Sequence, residues 1–276
     1  MTDLVIAWEN WRLSWYNYED VIIDLINNKD ERWLKIVEFI SNDSCISLDE
    51  YIFRAIKSPK TVEDAVLNWR KKPPKADAIL YFENIKTGNI IIRGISMKSS
   101  NINIQVLITN VKMFLDVCKW YWLDISNEYL EMGLSKFCWY WKYKPSLVLK
   151  NEDIKKLKQW NRDRRLIQEL SENERLTIKN FFNLNQKPIT EIILKKWSWP
   201  KEYRADYYLV NNTKYSATQI VDFKIDNIEN IINRSMDFWY NETKQWSFHI
   251  WHLTVQMKGS WKWEAYHWLQ FNKAWI

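Results

Sequence analysis

Two neighbouring apolar runs dominate the first third of the chain. The first follows Asp77 over residues 78–82, and the second covers residues 90–95 and leads into Ser96 and Lys98. Runs of this length that are rich in β-branched and aromatic residues are typical of strands. We therefore predict a β-hairpin formed by these two runs.

Other stretches have the spacing of helices, with apolar residues every three or four positions. This pattern predicts helices over residues 18–28, 35–41, 61–69 and 104–117, the last of them packed across the hairpin. Residues 126–196 are polar and helical in pattern. Within them, Ser171 and Glu174 have the spacing of a capping box, which predicts a new helix over residues 171–182.

The last quarter of the chain returns to strand character. Residues 204–212 and 214–221 flank a predicted turn at Asn211 and Asn212, residues 225–234 form a short helix, and residues 248–258 and 264–273 form paired strands. The alternation of strands and helices predicts an α/β fold. We divide the chain into a core with the hairpin (1–125), a helical subdomain (126–200) and C-terminal strands (201–276), within one two-lobed domain.

The predicted hairpin brings together three side chains with useful chemistry. Residues two apart in a strand point to the same face, so Ser96 and Lys98 project together and Asp77 lies beside them on the paired strand. Phosphodiester hydrolysis uses a carboxylate to hold a divalent cation, which activates water, and an ammonium to stabilise developing charge. The hairpin therefore predicts a phosphodiesterase site.

These residues carry a resemblance. Asp77 with Ser96-Met97-Lys98 resembles the PD-(D/E)XK nuclease signature, with alanine in place of the proline and serine in place of the second acid. The segments PPKADAILYF, ISMKSS and INIQVLITNVKMFLDV resemble type II restriction endonucleases of the MspI-like kind. So do WRLSWYNYEDVIIDLI, similar to their N-terminal helix, and LTVQMKGSWKWEAYHWLQFNK, similar to their C-terminal hairpin.

The resemblance implies a PD-(D/E)XK nuclease core, a mixed sheet flanked by helices, with a helical insertion and a C-terminal β-hairpin region. It implies a Mg²⁺-dependent enzyme that cuts double-stranded DNA at a short palindrome, with a cognate DNA methyltransferase in the same restriction-modification system. Two alternatives stay open. One is a nuclease that recognises branched or damaged DNA, and the other is a nucleic-acid-binding protein without catalysis.

The resemblance also implies roles for individual residues. Asp77 holds the metal and Lys98 assists the water, while Ser96 is neutral and a poorer Mg²⁺ ligand than a carboxylate. Glu19, at the position of the glutamate in the N-terminal helix, is the candidate for the missing charge, although it could be an ordinary surface acid. Gln105 could bond the scissile phosphate or position Lys98, or be a plain helix-start residue. Weaker candidate acids are Glu63, Asp64 and Glu83.

The C-terminal strands are the candidate DNA-contact region. Gln256 and Lys258 alternate with apolar residues, so both lie on one face, and Gln270 and Lys273 follow on the next strand. Such side chains can reach phosphates or base edges in a groove. The alternative is that the lysines protect an exposed edge strand against aggregation.

The balance of tryptophan and glycine is unusual. The chain has 19 tryptophans and 4 glycines, whereas average usage predicts about 19 glycines. Several tryptophans stand at predicted turns, where positive φ favours glycine. We hypothesise that UGA codons meaning glycine were translated as tryptophan. The alternative is a protein naturally rich in tryptophan.

Charge and cysteine usage fit an enzyme that acts on DNA. The net charge of +6 and pI near 9.0 favour a polyanionic partner. Cys45, Cys118 and Cys138 lack the spacing of a zinc site or a disulfide framework, and the three histidines suggest no metal site. Together with the absence of a long apolar run, this predicts a cytoplasmic protein with no membrane contact.

Overall fold

A computed structural model describes residues 19–63, 71–99, 103–138, 167, 170–197, 199–211, 223–234, 240–242, 247–250, 253–258 and 268–274. The chain forms two compact units, one of Met1–Ile102 with Lys195–Ile231 and the other of Asn103–Leu194 with Ile232–Ile276. Each unit combines two separate stretches, whereas the sequence pattern predicts consecutive regions. Strand pairing between residues far apart in the chain accounts for this interleaving.

The strands of the described residues are numbered in chain order. They are β1 (Tyr51–Lys57), β2 (Val62–Glu63), β3 (Lys71–Lys72), β4 (Ala78–Asn84), β5 (Ile90–Ser99), β6 (Asn103–Thr109), β7 (Tyr207–Asn211), β8 (Phe223–Asn227), β9 (Asn241–Glu242), β10 (Ser247–Ile250), β11 (Leu253–Lys258) and β12 (Trp268–Ala274).

The helices are numbered in the same way. They are α1 (residues 19–27), α2 (Glu31–Asp43), α3 (Val111–Trp120), α4 (Glu128–Phe137), α5 (Glu172–Leu184), α6 (Gln186–Glu191) and α7 (Ile228–Arg234). A π-helical turn, Ile192–Lys196, follows α6, and a 3₁₀ turn covers Lys201–Tyr203. No helix in these ranges is long and apolar enough to cross a membrane.

The first unit contains a five-stranded mixed sheet in the order β1-β4-β5-β7-β8. Strands β4 and β5 pair antiparallel with Ala78 opposite Ile95, so the predicted hairpin is confirmed. On its other side β5 pairs parallel with β7, with Ser96 opposite Tyr208. Leu80 and Phe82 of β4 join a buried cluster with Ile22 of α1, so the helices α1 and α2 cover this face of the sheet.

The second unit contains a five-stranded sheet in the order β6-β12-β11-β10-β9. Its apolar face packs against α3 and α5, where Phe114 lies 5.4 Å from Phe271 and Phe182 lies 5.2 Å from Phe248 between ring centroids. The predicted capping box of α5 is confirmed. The predicted C-terminal strand pair is also confirmed, since β11 pairs antiparallel with β12.

The predicted helix over residues 104–117 is wrong in its first half. Residues 103–109 form β6, which pairs with β12, and the helix α3 begins only at Val111. Asn110 separates the two elements, because its side chain accepts a hydrogen bond of 2.8 Å from the Met113 backbone N–H and so caps α3. Val106 and Leu107 are both buried, which suits a strand with neighbours on both faces.

Two other predicted helices also differ from the structure. At the start of the predicted helix 61–69, Val62 and Glu63 pair as a strand with Lys71 and Lys72, while residues 64–70 lie outside the described residues. The predicted helix 225–234 begins at Ile228, since residues 223–227 pair with β7. The predictions for residues 151–166 and 214–221 also lie outside the described residues.

Candidate active site

Asp77 immediately precedes β4, and three neighbours donate hydrogen bonds to its Oδ2 atom. The donors are the Met97 backbone N–H at 2.6 Å, Lys98 Nζ at 2.9 Å and Ser96 Oγ at 3.2 Å. The structure therefore brings Asp77, Ser96 and Lys98 together, as their spacing in the sequence predicts.

The register of the hairpin explains this convergence. With Ala78 opposite Ile95, Asp77 lies opposite Ser96 at the end of β4, and the Asp77 backbone N–H donates to the Ile95 carbonyl at 2.8 Å. Lys98 follows on the same face as Ser96. Its side chain is 17% exposed and that of Asp77 is 20% exposed, so both remain accessible to a substrate at the end of the sheet.

Ser96 is more deeply buried than Asp77 and Lys98. It is fully buried, and Tyr208 lies opposite it on β7, also fully buried. Burial and then the Asp77 carboxylate raise the pKa of the Tyr208 hydroxyl, and the nearby Ser96 hydroxyl partly offsets them. A second carboxylate here would lie buried beside Asp77, where like charges repel. The serine supplies a hydrogen bond at this position without that repulsion.

Glu19 lies near this group at the start of α1, with a side chain 15% exposed. Its Oε2 atom is 3.4 Å from Lys57 Nζ. Burial raises the pKa of Glu19, and the Asp77 carboxylate raises it further, while Lys57 and Lys98 lower it. Glu19 is therefore close enough to Asp77 and Lys98 to interact with both electrostatically.

Lys57, at the end of β1, also lies at this site and was not predicted from the sequence. Its ammonium bridges Glu19 and the neighbouring Asp20, whose Oδ1 atom it contacts at 2.9 Å. Lys57 also lies opposite Ala78, the residue after Asp77. This pairing was not foreseeable without the register of β1 on β4, so sequence spacing alone could not place Lys57 at the site.

Lys75 is another neighbour of Asp77 that was not predicted from the sequence, and it is only 5% exposed. Its Nζ lies 5.9 Å from the ring centroid of Trp199 and 5.8 Å from that of Tyr208. Burial and then repulsion by Lys98 lower the pKa of Lys75 to about 7, although Asp77 opposes this. The sequence does contain a signal for this position. Lys75 precedes Asp77 by two residues, and residues two apart in an extended chain lie on one face.

Two carboxylates, those of Asp77 and Glu19, lie at this site. Within the described ranges, no group of three or more histidine, cysteine, aspartate and glutamate residues could hold a metal. Mg²⁺ binds through one or two carboxylates and keeps several waters. The Glu19 and Asp77 carboxylates are close enough to interact electrostatically.

The weaker candidate acids lie elsewhere or outside the described residues. Glu83 lies opposite Ile90, six residues along β4 from Asp77 and hence about 20 Å away. Glu63 belongs to the separate β2–β3 ribbon, and Asp64 is not among the described residues. Gln105 lies in β6 of the second unit, opposite Asn272, and its side chain is not described.

The predicted DNA-contact residues lie on β11 and β12. Gln256 is directly opposite Gln270, and Gln270 Nε2 donates to Asn272 Oδ1 at 2.8 Å. Lys258 lies opposite Trp268, and Lys273 lies opposite Leu253. Both strands are interior to the sheet. The alternative that these residues protect an edge strand is therefore wrong.

The chain was compared with known proteins in three ways. No protein-family model matches it, and no curated protein matches it. Among solved structures it is similar to the restriction endonuclease MspI in complex with its cognate DNA, with a TM-score of 0.59 and 13% identity over 92% of this chain and 87% of that chain. At this identity the likeness concerns the fold, and it confirms the predicted mixed sheet flanked by helices.

Proposed function

We propose that this protein is a Mg²⁺-dependent endonuclease that cuts double-stranded DNA at a short specific site, as type II restriction enzymes do. One observation carries the proposal: Ser96, the Met97 N–H and Lys98 all bond the same oxygen of Asp77. The likeness of fold to a restriction endonuclease solved with its DNA supports it.

In this proposal Asp77 and Glu19 hold Mg²⁺, which when bound supplies Lewis acidity and an activated water. The protein's own residues orient the reaction. Lys98 Nζ also donates to the Met97 carbonyl at 2.9 Å, so two acceptors fix the ammonium beside Asp77. There it can hold the attacking water or stabilise charge on the phosphate. Ser96 keeps the Asp77 carboxylate in place.

DNA is held, in this proposal, by the second unit. Gln256 and Gln270 lie opposite each other on neighbouring strands, and the amide of a glutamine can bond the edge of adenine or a phosphate oxygen. Lys258 and Lys273 add positive charge, Gln105 contacts the scissile phosphate or positions Lys98, and the net charge of +6 favours a polyanion. A cognate methyltransferase in the cytoplasm protects the host DNA.

The test replaces Asp77 or Lys98 with alanine and measures Mg²⁺-dependent cleavage of a mixed-sequence DNA. We expect cleavage to fall by about 10³-fold or more, with DNA affinity within about threefold of the original because the contact residues are untouched. Glu83→Gln is the matched control, because Glu83 is an acid at the end of β4 that lies far from Asp77. Unchanged cleavage in Asp77→Ala would contradict the proposal.

Mapping the cut ends distinguishes the remaining alternatives. Cuts at one short palindrome support the restriction activity, whereas cuts only at branched junctions favour a structure-specific nuclease. Binding without any cleavage, in the unaltered protein with Mg²⁺, favours a DNA-binding protein without catalysis.

A further inference from the structure

A groove runs along one edge of β5, away from the Asp77 site. Its volume is about 700 Å³, and its walls are residues 90–94 on one side and residues from 195–206 on the other. Successive residues of a strand point to opposite faces, so five in a row can line one cavity only where it lies along the strand's edge. The groove therefore exposes the edge of β5.

The hydrogen bonds of Gly94 show which backbone groups point into the groove. Its N–H donates to Asp206 Oδ2 at 3.0 Å, and its carbonyl accepts from the Asp206 backbone N–H at 2.8 Å. Residues two apart in a strand direct their backbone groups to the same side, so Ile92 and Ile90 point theirs this way too. The Ile92 carbonyl already accepts one hydrogen bond, from Arg93 Nη1 at 3.0 Å. Pairing with β7 begins only at Ile95, and no other described strand pairs with this edge.

The end of the groove is closed by a close approach of two backbones. A Cβ atom on Gly94 would lie 1.9 Å from the Arg204 carbonyl oxygen, so the segment around Arg204 crosses the strand there. On the side of this point toward Ile90, the groove lies between β5 and residues of the segment 195–204. An added strand would continue the line of β7.

The walls of the groove are apolar and basic. Ile90 is 53% exposed and Ile92 is 38% exposed, which is unusual for adjacent large apolar side chains on one face. The lining has five basic residues and two acidic ones. One of the acids, Asp206, is already bonded to Gly94 and lies 3.5 Å from Lys195. Lys195 also pairs with Glu229 at 2.8 Å, so the positive charge of the lining comes mainly from Arg93, Lys196, Lys201 and Arg204.

We propose that this groove binds an extended, acidic segment of another protein, which adds to the edge of β5 as a strand. A free strand edge bonds a polypeptide backbone in register, with side-chain pockets adding specificity. The phosphate backbone of DNA cannot form this regular series of hydrogen bonds with the strand edge. It also makes no favourable apolar contact with the isoleucines. A second copy of this chain would bring its own basic wall against the first.

The experiment uses the full chain and a fluorescein-labelled hexapeptide of alternating glutamate and valine. Binding is followed by fluorescence anisotropy. We expect saturable binding that weakens at least about tenfold when every backbone nitrogen of the peptide is methylated, or when lysine replaces glutamate. Lys201→Glu, on the basic wall, should weaken binding about tenfold, because it reverses one attractive charge.

Matched variants separate the groove from the general surface. Lys86→Glu changes an exposed lysine of the same unit, and Ile52→Glu changes an isoleucine 58% exposed on the same sheet. Neither should alter peptide binding, whereas Ile92→Glu should weaken it, because it removes an apolar contact and adds repulsion. The proposal is wrong if the methylated peptide binds equally well, if no binding is seen up to roughly 1 mM, or if Lys201→Glu weakens binding of duplex DNA but not of the peptide.

Discussion

Trp122 has a backbone conformation that suits glycine. Its φ is 64° and its side chain is 94% exposed. The Trp122 N–H donates to the Lys119 carbonyl at 2.9 Å, and the Leu123 N–H donates to the Cys118 carbonyl at 3.0 Å. This pair of bonds after α3 defines a Schellman motif, in which the left-handed residue is usually glycine. The exposed ring offers no packing to offset the strain.

This observation supports the hypothesis that some tryptophans stand at glycine codons. Trp197 also has a positive φ, of 37°. Among the described residues the non-glycine positions with positive φ are two tryptophans, Lys29 and Cys45. The codons decide the question, since UGG at Trp122 and Trp197 would end the hypothesis and UGA would establish it.

We predict that Trp122→Gly stabilises the protein by about 1 kcal/mol, because it removes the cost of a left-handed conformation. Urea unfolding measures the effect. Trp120→Gly is the matched control, since Trp120 is the last residue of α3 and glycine inside a helix costs about 1 kcal/mol. Equal destabilisation by both changes would contradict the prediction.

The candidate catalytic residues were predictable from sequence to the extent that one hairpin contains them. Asp77, Ser96 and Lys98 lie on adjacent strands, so alternation alone brings them together. Tyr208 was not predictable, because nothing local indicates that β7 pairs with β5. The burial of Lys75 depends on Trp199 and Tyr208, which arrive from that same distant segment.

Among the elements, the contact between β5 and the segment 199–206 depends on the absence of a side chain at Gly94. We predict that Gly94→Ala destabilises the first unit by roughly 3 kcal/mol, because a Cβ atom would collide with the backbone of Arg204. Limited proteolysis near residue 204 measures the loosening of this segment.

Gly88→Ala provides the contrast for that experiment. Gly88 has a φ of 70° in the turn between β4 and β5, and nothing lies within 4 Å of an added Cβ atom. Only the strain of the positive φ remains, so we expect Gly88→Ala to lower the free energy of unfolding by about 1 kcal/mol. A smaller effect at Gly94 than at Gly88 would disprove the close approach.

The start of α5 depends on one buried carboxylate. Glu174 Oε2 accepts from the Ser171 N–H at 2.9 Å, and Glu174 Oε1 accepts from Lys136 of α4. Burial raises the pKa of Glu174, but the hydrogen bonds from Lys136 and Ser171 outweigh it and hold the pKa below its ordinary value. The carboxylate therefore ties α4 to α5 in its charged form.

A pH dependence of stability follows from this depressed pKa. The stabilisation is fully present above the unfolded pKa of 4.5 and is lost as the pH falls through the lower folded value. We predict that Glu174→Gln lowers the free energy of unfolding at pH 7 by roughly 2 kcal/mol. It should also reduce the loss of stability between pH 5 and 3, measured by urea unfolding. An unchanged pH profile in the variant would contradict this role.

The elements that sequence reasoning placed correctly are those with strong local signals. The capping box of α5 and the apolar stripe of α2 need no distant partner. The error at residues 103–109 has a physical cause, because a short run such as INIQVLIT suits either element until a partner strand is known. Pairing with β12, more than 150 residues later, decides for the strand.

The charge of the whole molecule should govern its affinity for DNA. With a net charge of +6, binding should weaken steeply with salt as counterions are released. We predict that Lys258→Gln lowers the slope of log affinity against log salt by about 0.9, if the lysine meets a phosphate. Gln256→Ala should leave the slope unchanged and alter the preference among DNA sequences. Filter binding at several salt concentrations measures both.

The chain passes between the two units three times, at residues 102–103, 194–195 and 231–232. Each unit is therefore discontinuous in sequence, and a boundary chosen from sequence order cuts through a sheet. This explains why composition and pattern identify the elements and the hairpin but not the division of the molecule.

The parallel pairing of β5 with β7 has a consequence for synthesis. The partner of Ile95–Ser99 lies roughly a hundred residues downstream, so the ribosome delivers it about 5–20 s after the hairpin. During that interval the β4–β5 hairpin, with its acidic and basic side chains, has no partner strand at the edge of β5 that later pairs with β7. An unpaired strand edge can associate with other chains, so we expect faster translation of the intervening segment to reduce aggregation during synthesis.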